Sequence, residues 1–360
     1  SDPSSFPFRM DLTIASSKVN STLTDFPLLV SLSTSITGFS YNGFLDGDGD
    51  GVRTGGDLRF FASSGQELAY EIADWNTSGT SHIWVKVPSI SGTNTVITAA
   101  WGKSGTETMT DYATVNPVWS NDYEGVWHLG EVGAGNSVSD SSPHSEHGTA
   151  FGSPSTAEGK VGSGISLDGT DDYIGLNING PYNQDFSWSG WVKTSDTDGG
   201  LISLSPINWQ QGAYGLYIRS GKPKIDVSLD GYGVGVATVN SNVWKHIYLT
   251  LSDSGSTTDT YKIYVNGSED TTGTRNWFKY DGTNLKIRFG HIPHEGLYLS
   301  GILDETRIAS SVRSADWIKA EYDNQKSSQN LVSYGSITGP RIITSPLTAT
   351  GTFNSAFSYT

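Results

Sequence analysis

One stretch of the chain changes period. In Leu299–Asn324, LSGILDETRIASSVRSADWIKAEYDN, the segment Ile302–Ile308 alternates apolar and polar residues as a half-buried strand does. The residues after it follow another rule. Ser314 is placed to cap a helix, and Trp317, Ile318 and Tyr322 then fall on one side at helical spacing. No other segment carries a convincing helical pattern. The chain must therefore bury its apolar residues through strands. A closing strand and one short amphipathic helix, within residues 313–324, are predicted to lie against an otherwise all-β body.

Composition fits that constraint. The 360 residues include 43 glycines and 11% aromatics, the material of many short strands joined by tight turns. At 35% hydrophobic there is enough apolar material for two sandwich cores, and the length suits two or three domains. Cysteine is absent, so stability must come from cores rather than disulfides, with metal ions the other staple open to the chain. Lys and Arg number 22 against 37 Asp and Glu, a net charge of −15. Like charge argues against nucleic-acid backbones and anionic membrane surfaces as partners. It suits a secreted or cell-surface protein, or one that collects cations. With neither a signal peptide nor a long apolar run, the chain is expected to be part of a larger extracellular protein whose export signal lies elsewhere, with no membrane insertion in this segment.

Residues 6–115 read as a first unit. Phe8–Ile14, Pro27–Leu32, Asp57–Ala62, Glu67–Ala73, His82–Val87 and Thr95–Trp101 all have strand character, separated by turn residues. Within it, DGDGDGVRTGGD at 46–57 fits D-x-D-x-D-G-x5-D. Asp46, Asp48 and Asp50 take the first, third and fifth positions of a calcium loop. Gly51 makes the turn, Val52 offers its carbonyl, and Asp57 closes the loop. The closing residue is Asp rather than Glu and no helix flanks the loop, so the pattern is that of a helix-free extracellular Ca²⁺ loop. Its bland alternative is a solvated acidic turn. Four aspartates within twelve residues repel one another without a counter-ion, which favours calcium in a structural role.

Residues 116–335 read as a second unit, with strands at Val126–Leu129, 186–194, 214–229, 242–251, 261–267 and 285–290 before the closing stretch. Catalysis has no obvious machinery. Asp304 and Glu305 are adjacent on a strand and point to opposite faces, so they cannot act as a glycosidase pair. Among Glu67, Glu71 and Asp74 only the first two could share a face. No nucleophile elbow is present, and His144, Glu146 and His147 lie in a polar turn. The region is expected not to be an enzyme. Binding is the better hypothesis, because sugar sites combine an aromatic platform with amide, carboxylate or guanidinium groups. Residues that interrupt the strand pattern are the candidates: Trp209, Gln210, Gln211 and Tyr214, then Tyr232, then Arg275, Trp277 and Tyr280, and finally His291, His294 and Tyr298. Trp188, Trp191, Trp244 and Trp317 lie on patterned elements and are assigned to the core. Any single candidate could instead close the rim of the core.

Two resemblances sharpen the reading. DLRFFASSGQELAYEIADW, HIWVKVP and AAWG, in residues 57–102, resemble an uncharacterised bacterial domain that often precedes a laminin-G-like domain. The second unit resembles such laminin-G-like domains of the concanavalin A-like lectin/glucanase superfamily. It carries in order the Trp-His pair at 127–128, the Asp-Ser loop from 140 ending His-Gly at 147–148, and Leu-Asp-Gly at 167–169. Ser-x-Trp-Val-Lys at 189–193, Trp-x-His at 244–246, Tyr-Val-Asn-Gly at 264–267 and Asp-Glu at 304–305 follow. The resemblance implies two antiparallel sandwich domains of jelly-roll type, together an all-β fold. It also implies a structural calcium in the second domain, with Asp140, Asp168, Asp172 and Asp304 the acidic residues in matching blocks; turn hydrogen bonds are the competing role for Asp168 and Asp172. Residues 336–360 resemble the start of an immunoglobulin-like surface repeat and are expected to be an extended tail. Two functions remain open: a calcium-stabilised polysaccharide-binding region, or an adhesion or stalk module that binds a protein partner or spaces domains.

Overall fold

The computed structural model describes residues 2–46, 51–91, 93–106, 117–177, 184–205, 214–227, 231–255, 258–275, 286–326 and 331–339. The fold is all-β with antiparallel sheets, and the described residues contain one α-helix. In the first unit a five-stranded sheet runs in the order Val332–Tyr334, Phe8–Ile14, Thr95–Trp101, Arg59–Ala62, Glu67–Leu68. A three-stranded sheet, Leu23–Ser33, Thr80–Ile90 and Tyr70–Asp74, faces it. Alternate residues of both sheets, such as Met10, Leu12 and Ile97 from one and Leu28, Val30 and Val85 from the other, meet in one buried core.

The strand Val332–Tyr334 lies more than two hundred residues beyond the rest of that sheet. Counted with the second unit by sequence, it is hydrogen-bonded into the first, antiparallel to Phe8–Ile14. Ala15 and Gly335 extend the seam through backbone bonds to Leu331 and Asp11 at 2.9 and 2.8 Å.

The second unit packs two larger sheets. One has the order Gly231–Val234, Lys222–Val227, Tyr214–Arg219, Gly199–Ser205, Lys286–Phe289, Tyr173–Leu176, Gly148–Phe151, Ser137–Val138. The other has the order Ser155–Glu158, Ser163–Asp168, Ser300–Ala309, Phe186–Lys193, Lys245–Ser252, Asp259–Val265, Ser268–Arg275, with Tyr123–Trp127 also paired to Ser300–Ala309. Trp127, Trp188, Ile202, Phe289 and Leu303 belong to the core between them.

The helix, Ala315–Lys326, is capped as the sequence predicts: Ser314 Oγ accepts the Trp317 N–H at 3.2 Å. It is wedged between the two units. Trp317 and Ala320 join the core of the first unit, and Trp317 meets Phe26 edge-on at 5.0 Å. Ile318 packs instead on Tyr248 and Tyr264 of the second unit. Burial of each such large side chain stabilises by roughly 1.5–3 kcal/mol, so this one helix holds both bodies.

Candidate functional site

Alternation along the sheet that contains Gly199–Ser205 sends Ile174, Phe289, Ile202, Leu216 and Ile225 into the core. The other parity therefore faces outward. Directly opposed residues Gly175, Arg288, Ser203, Gly215, Asp226 and Tyr232 form one row across this outer face. Gly200, Tyr217, Lys224 and Val234 form the next. The short hairpin His291–Ile292/Leu297–Tyr298 lies over part of the face. Glycine is needed beneath it, since a Cβ on Gly200 would come within 2.9 Å of the His291 backbone.

At one end of this face Tyr232 is 59% exposed. Lys224 Nζ sits over the ring, 4.1 Å from its centroid. Val234 and Val236, further along, are also exposed. Tyr232 is held by its backbone: Arg275 Nη2 donates to its carbonyl, stapling the edges of the two sheets. Gly233 is required there, because a Cβ would lie 2.0 Å from the hydroxyl of buried Tyr261. Beside the ring, ligand atoms of Asp226, His294 and Glu295 lie within 4.8 Å of one another. Asp226 accepts the Tyr217 hydroxyl at 3.2 Å, and Arg219 pairs with Glu295 and with Asp198. Burial lowers the His294 pKa, partly offset by Asp226 and Glu295, so its imidazole is neutral near pH 7. The patch thus joins an aromatic face with neutral, cationic and anionic hydrogen-bonding groups.

Of the predicted binding residues, Tyr232 and His294 share this face, His291 and Tyr298 pair in the hairpin over it, and Arg275 braces it from behind. Trp209, Gln210, Gln211, Trp277 and Tyr280, with the side chain of Tyr214, lie outside the described residues. Their segments follow Ser205 and precede Lys286, which are paired with each other across the sheet. Lys224, Asp226, Arg219 and Glu295 were not anticipated. The polar positions alternating with Ile225 in KPKIDV were the available signal. A second aromatic run joins two candidates, His291 and Tyr298, to two residues that were not anticipated: His291 stacks on Tyr298 at 4.0 Å, Phe151 on Tyr173 at 4.6 Å, and the Tyr173 and His291 rings are 5.2 Å apart. Burial, with Arg288 beside it, lowers the His291 pKa to about 4. Trp188, Trp191 and Trp317 are buried, while Trp244 is only partly so.

The acidic candidates are placed differently. Asp46 Oδ2 accepts the Gly51 N–H at 2.8 Å, closing the first turn of its loop, and Val52 is exposed. Asp48 and Asp50 lie outside the described residues. Asp57 is fully buried, and its two oxygens accept the N–H groups of Leu45 at 3.2 Å and Gly102 at 2.6 Å. Burial raises its pKa against those donors. Asp140 accepts four hydrogen bonds, from the Val126, Ser142 and Glu146 backbones and the Ser142 hydroxyl, and so organises its loop. Asp304 is buried and raised well above the ordinary carboxylate range by desolvation; its Oδ2 accepts from Lys160 and Val161. Of the four acidic residues named for the second domain, Asp168 and Asp172 converge, joined by Asp171. They also make turn bonds, to Thr170 N–H and Ser153 N–H respectively. Asp140 and Asp304 belong to neither set of converging ligand atoms found among the described residues.

A cleft of about 420 Å³ lies at the junction, lined by Glu71, Asp74, His82, His128, Ser141 and Glu305 among others. Its floor is an ionic seam. His128 Nδ1 is 2.8 Å from Glu305, and its Nε2 is 3.5 Å from Glu71 of the first unit. Burial opposes the charge on His128, but Glu305 and Glu71 overcome it and raise the pKa to about 10. Glu305 also binds Arg307, and Arg307 reaches Glu321 of the helix at 3.4 Å. Burial pushes Glu321 up, yet Arg307 and His246 hold it at about 2. The Arg307 guanidinium stacks 4.4 Å from Trp84 of the first unit. Glu305 stands at a bulge in its strand with φ +50°, a strained conformation held by these partners. Both cleft-floor glutamates are thus committed to fixed partners.

Residues 168–319 match the family described as the concanavalin A-like lectin/glucanases superfamily, and residues 54–127 match a domain of unknown function, DUF2341. The second unit is a laminin-G-like domain of that superfamily. A DUF2341 domain precedes it. No curated protein matches the chain. Among solved structures, it is similar to the binding domain of Paraclostridial Mosquitocidal Protein 1, at 14% identity over 56% of this chain and 52% of that one, TM-score 0.44. It thus spans about half of that relative's length. Domain 4 of AbnA, a GH43 extracellular arabinanase from Geobacillus stearothermophilus solved with arabinotriose, is similar at 19% identity over 55% and 97%, TM-score 0.45. The botulinum neurotoxin serotype D ligand-binding domain solved with N-acetylneuraminic acid is similar at 17% identity over 57% and 51%, TM-score 0.41.

Proposed function

We propose that this chain is a non-catalytic glycan-binding region of a larger extracellular protein, and that the outer face around Tyr232 holds the sugar. The exposed Tyr232 ring, backed by Lys224 and flanked by Asp226, His294 and Glu295, carries the reading. An aromatic face matches the apolar side of a pyranose, and the surrounding groups match its hydroxyls. Trp209 and Trp277 would extend the platform from segments that leave paired ends of the same sheet. A glycan array probed with the chain tests this directly: binding to a polysaccharide class supports it, and a blank array counts against it.

The calcium loop belongs to the same proposal. Asp46, Asp48, Asp50, Asp57 and the Val52 carbonyl would hold a structural Ca²⁺ that pins the loop of the first domain. The Asp46–Gly51 turn favours it, while the two backbone bonds to Asp57 leave that residue to bind through its remaining lone pairs. A second reading, a rigid stalk module, is favoured by the junction. The shared helix and the Glu71–His128–Glu305–Arg307–Glu321 seam would fix the angle between the domains. Solution scattering that showed a variable angle would count against the stalk.

A further inference from the structure

The hairpin over the outer face brings three metal-ligating side chains together. Asp226 stands on the strand Lys222–Val227, and His294 and Glu295 stand in the turn between His291–Ile292 and Leu297–Tyr298. The backbone sets that turn: the Glu295 and Gly296 N–H groups donate to the Ile292 and Pro293 carbonyls, each at 3.2 Å. One imidazole and two carboxylates then have ligand atoms all within 4.8 Å of one another. Each carboxylate is also held from outside the trio. The Tyr217 hydroxyl donates to Asp226 Oδ2 at 3.2 Å, and Arg219 pairs with Glu295. Outer partners of this kind orient the ligating carboxylates of metal centres, and a carboxylate so held still has lone pairs for an ion. Asp198, Asp226 and Glu295 outnumber the local cations Arg219 and Lys224, so the neighbourhood is anionic. Burial keeps His294 neutral near pH 7 despite the carboxylates beside it, and neutral imidazole is the form that ligates.

We infer that Asp226, His294 and Glu295 form a binding site for a divalent transition cation of the Zn²⁺ class. One imidazole with two carboxylates suits such a cation, whereas Ca²⁺ takes oxygen ligands alone. Bonds of about 2.1 Å to a central ion set donors roughly 3–4 Å apart, so shifts of about an ångström or less complete the site. Three protein ligands leave a further position for water or an external oxygen. The ion ties the hairpin to the sheet, in a chain that has no cysteine to do so. Asp226 is directly opposite Tyr232 across the strands, so the tie lies beside that residue. The site stands whether or not the face binds a glycan.

The test uses the whole chain, free of affinity tags and stripped with a chelator. It is titrated calorimetrically with Zn²⁺ while Ca²⁺ is kept in excess to fill any all-oxygen site. Zn²⁺ should bind at a single strong site. Tyr217→Phe, which removes the hydroxyl that orients Asp226, should weaken that binding roughly tenfold. His294→Ala and Asp226→Asn each remove a ligand and should weaken it more. Both residues are only partly buried, and should one variant fail to fold the other carries the test. His144→Ala, in the polar turn at 144–147, should leave the affinity unchanged. Absence of Zn²⁺ binding overturns the inference. So does Zn²⁺ binding that survives both His294→Ala and Asp226→Asn, which would mark an adventitious ion only. The titration contains no glycan, so its failure is distinct from failure of the sugar-binding reading.

Discussion

The side-chain amide of Asn324 stands in for a neighbouring strand on Leu29. Its Oδ1 accepts the Leu29 N–H at 2.6 Å, and its Nδ2 donates to the Leu29 carbonyl at 3.0 Å. Leu29 lies on the edge strand Leu23–Ser33, whose open side would otherwise invite another chain. The Tyr334 hydroxyl takes the Ser31 N–H at 2.9 Å, two residues along the same edge. The second unit thus closes the first: the helix blocks one sheet edge, and Val332–Tyr334 extends the other sheet.

It follows that residues 6–115 expressed alone will not fold cooperatively. Asn324→Ala in the full chain leaves two buried backbone groups unpaired and should cost about 1–3 kcal/mol. Chemical denaturation measures both. A sharp transition in the isolated segment, or an Asn324→Ala chain as stable as the parent, would show that the edge needs no cover.

The junction should weaken in mild alkali. Unfolded histidine titrates near 6.5, whereas His128 in the fold holds its proton to about 10. Below the unfolded value both states carry the proton, and the stabilisation is complete. As pH rises from 6.5 towards 10 the unfolded chain loses a proton that the native chain keeps, so stability falls. With 17% of the ring exposed, the effect should be a few kcal/mol at most. Thermal melts between pH 7 and 9.5 should show a falling Tm, and His128→Gln, though less stable throughout, should show a flatter slope. Parallel slopes would remove His128 from the account.

A chelator should lower the melting temperature of the first domain. Ion binding to the native state alone contributes about 2.7 kcal/mol at a hundredfold excess over Kd. Asp48→Ala should abolish most of the chelator response, and Asp253→Ala, outside the loop, should not. An unmoved melt together with no heat on calcium titration would reduce 46–57 to an acidic turn.

Trp209→Ala and Trp277→Ala should weaken polysaccharide binding and leave the melting temperature nearly unchanged. A large drop in Tm for either would assign that residue to the core instead.

Much of the fold was legible because strand alternation is a local signal. Phe8–Ile14 and Thr95–Trp101 have the same bounds in the structure as in the sequence reading. The Ser314 cap was equally local. What the helix touches was not. Trp317 and Ile318 are neighbours about 100° apart on the helix, and the groove between two bodies lets them pack on different partners. Glu321, Asp323, Asn324 and Gln325 are buried too, which no apolar pattern announces. The three-residue strand at 332–334 carries no periodicity long enough to reveal a partner at the other end of the chain. In the candidate site, Tyr232 stood out as an aromatic between glycines. Lys224 and Asp226 did not, because polar residues alternating along a strand read as an ordinary wet face until the register sets them beside Tyr232.

The central claim, that this outer face binds a glycan, is tested most directly by calorimetric titration of Tyr232→Ala with the tightest-binding polysaccharide from the array. By analogy with base–aromatic stacking, loss of the ring should cost about 1–3 kcal/mol, a rise in Kd of roughly 5-fold to 150-fold. The melting temperature should not move, since the ring is largely exposed. An unchanged Kd in a variant that melts like the parent would contradict the account and place the ligand on another surface.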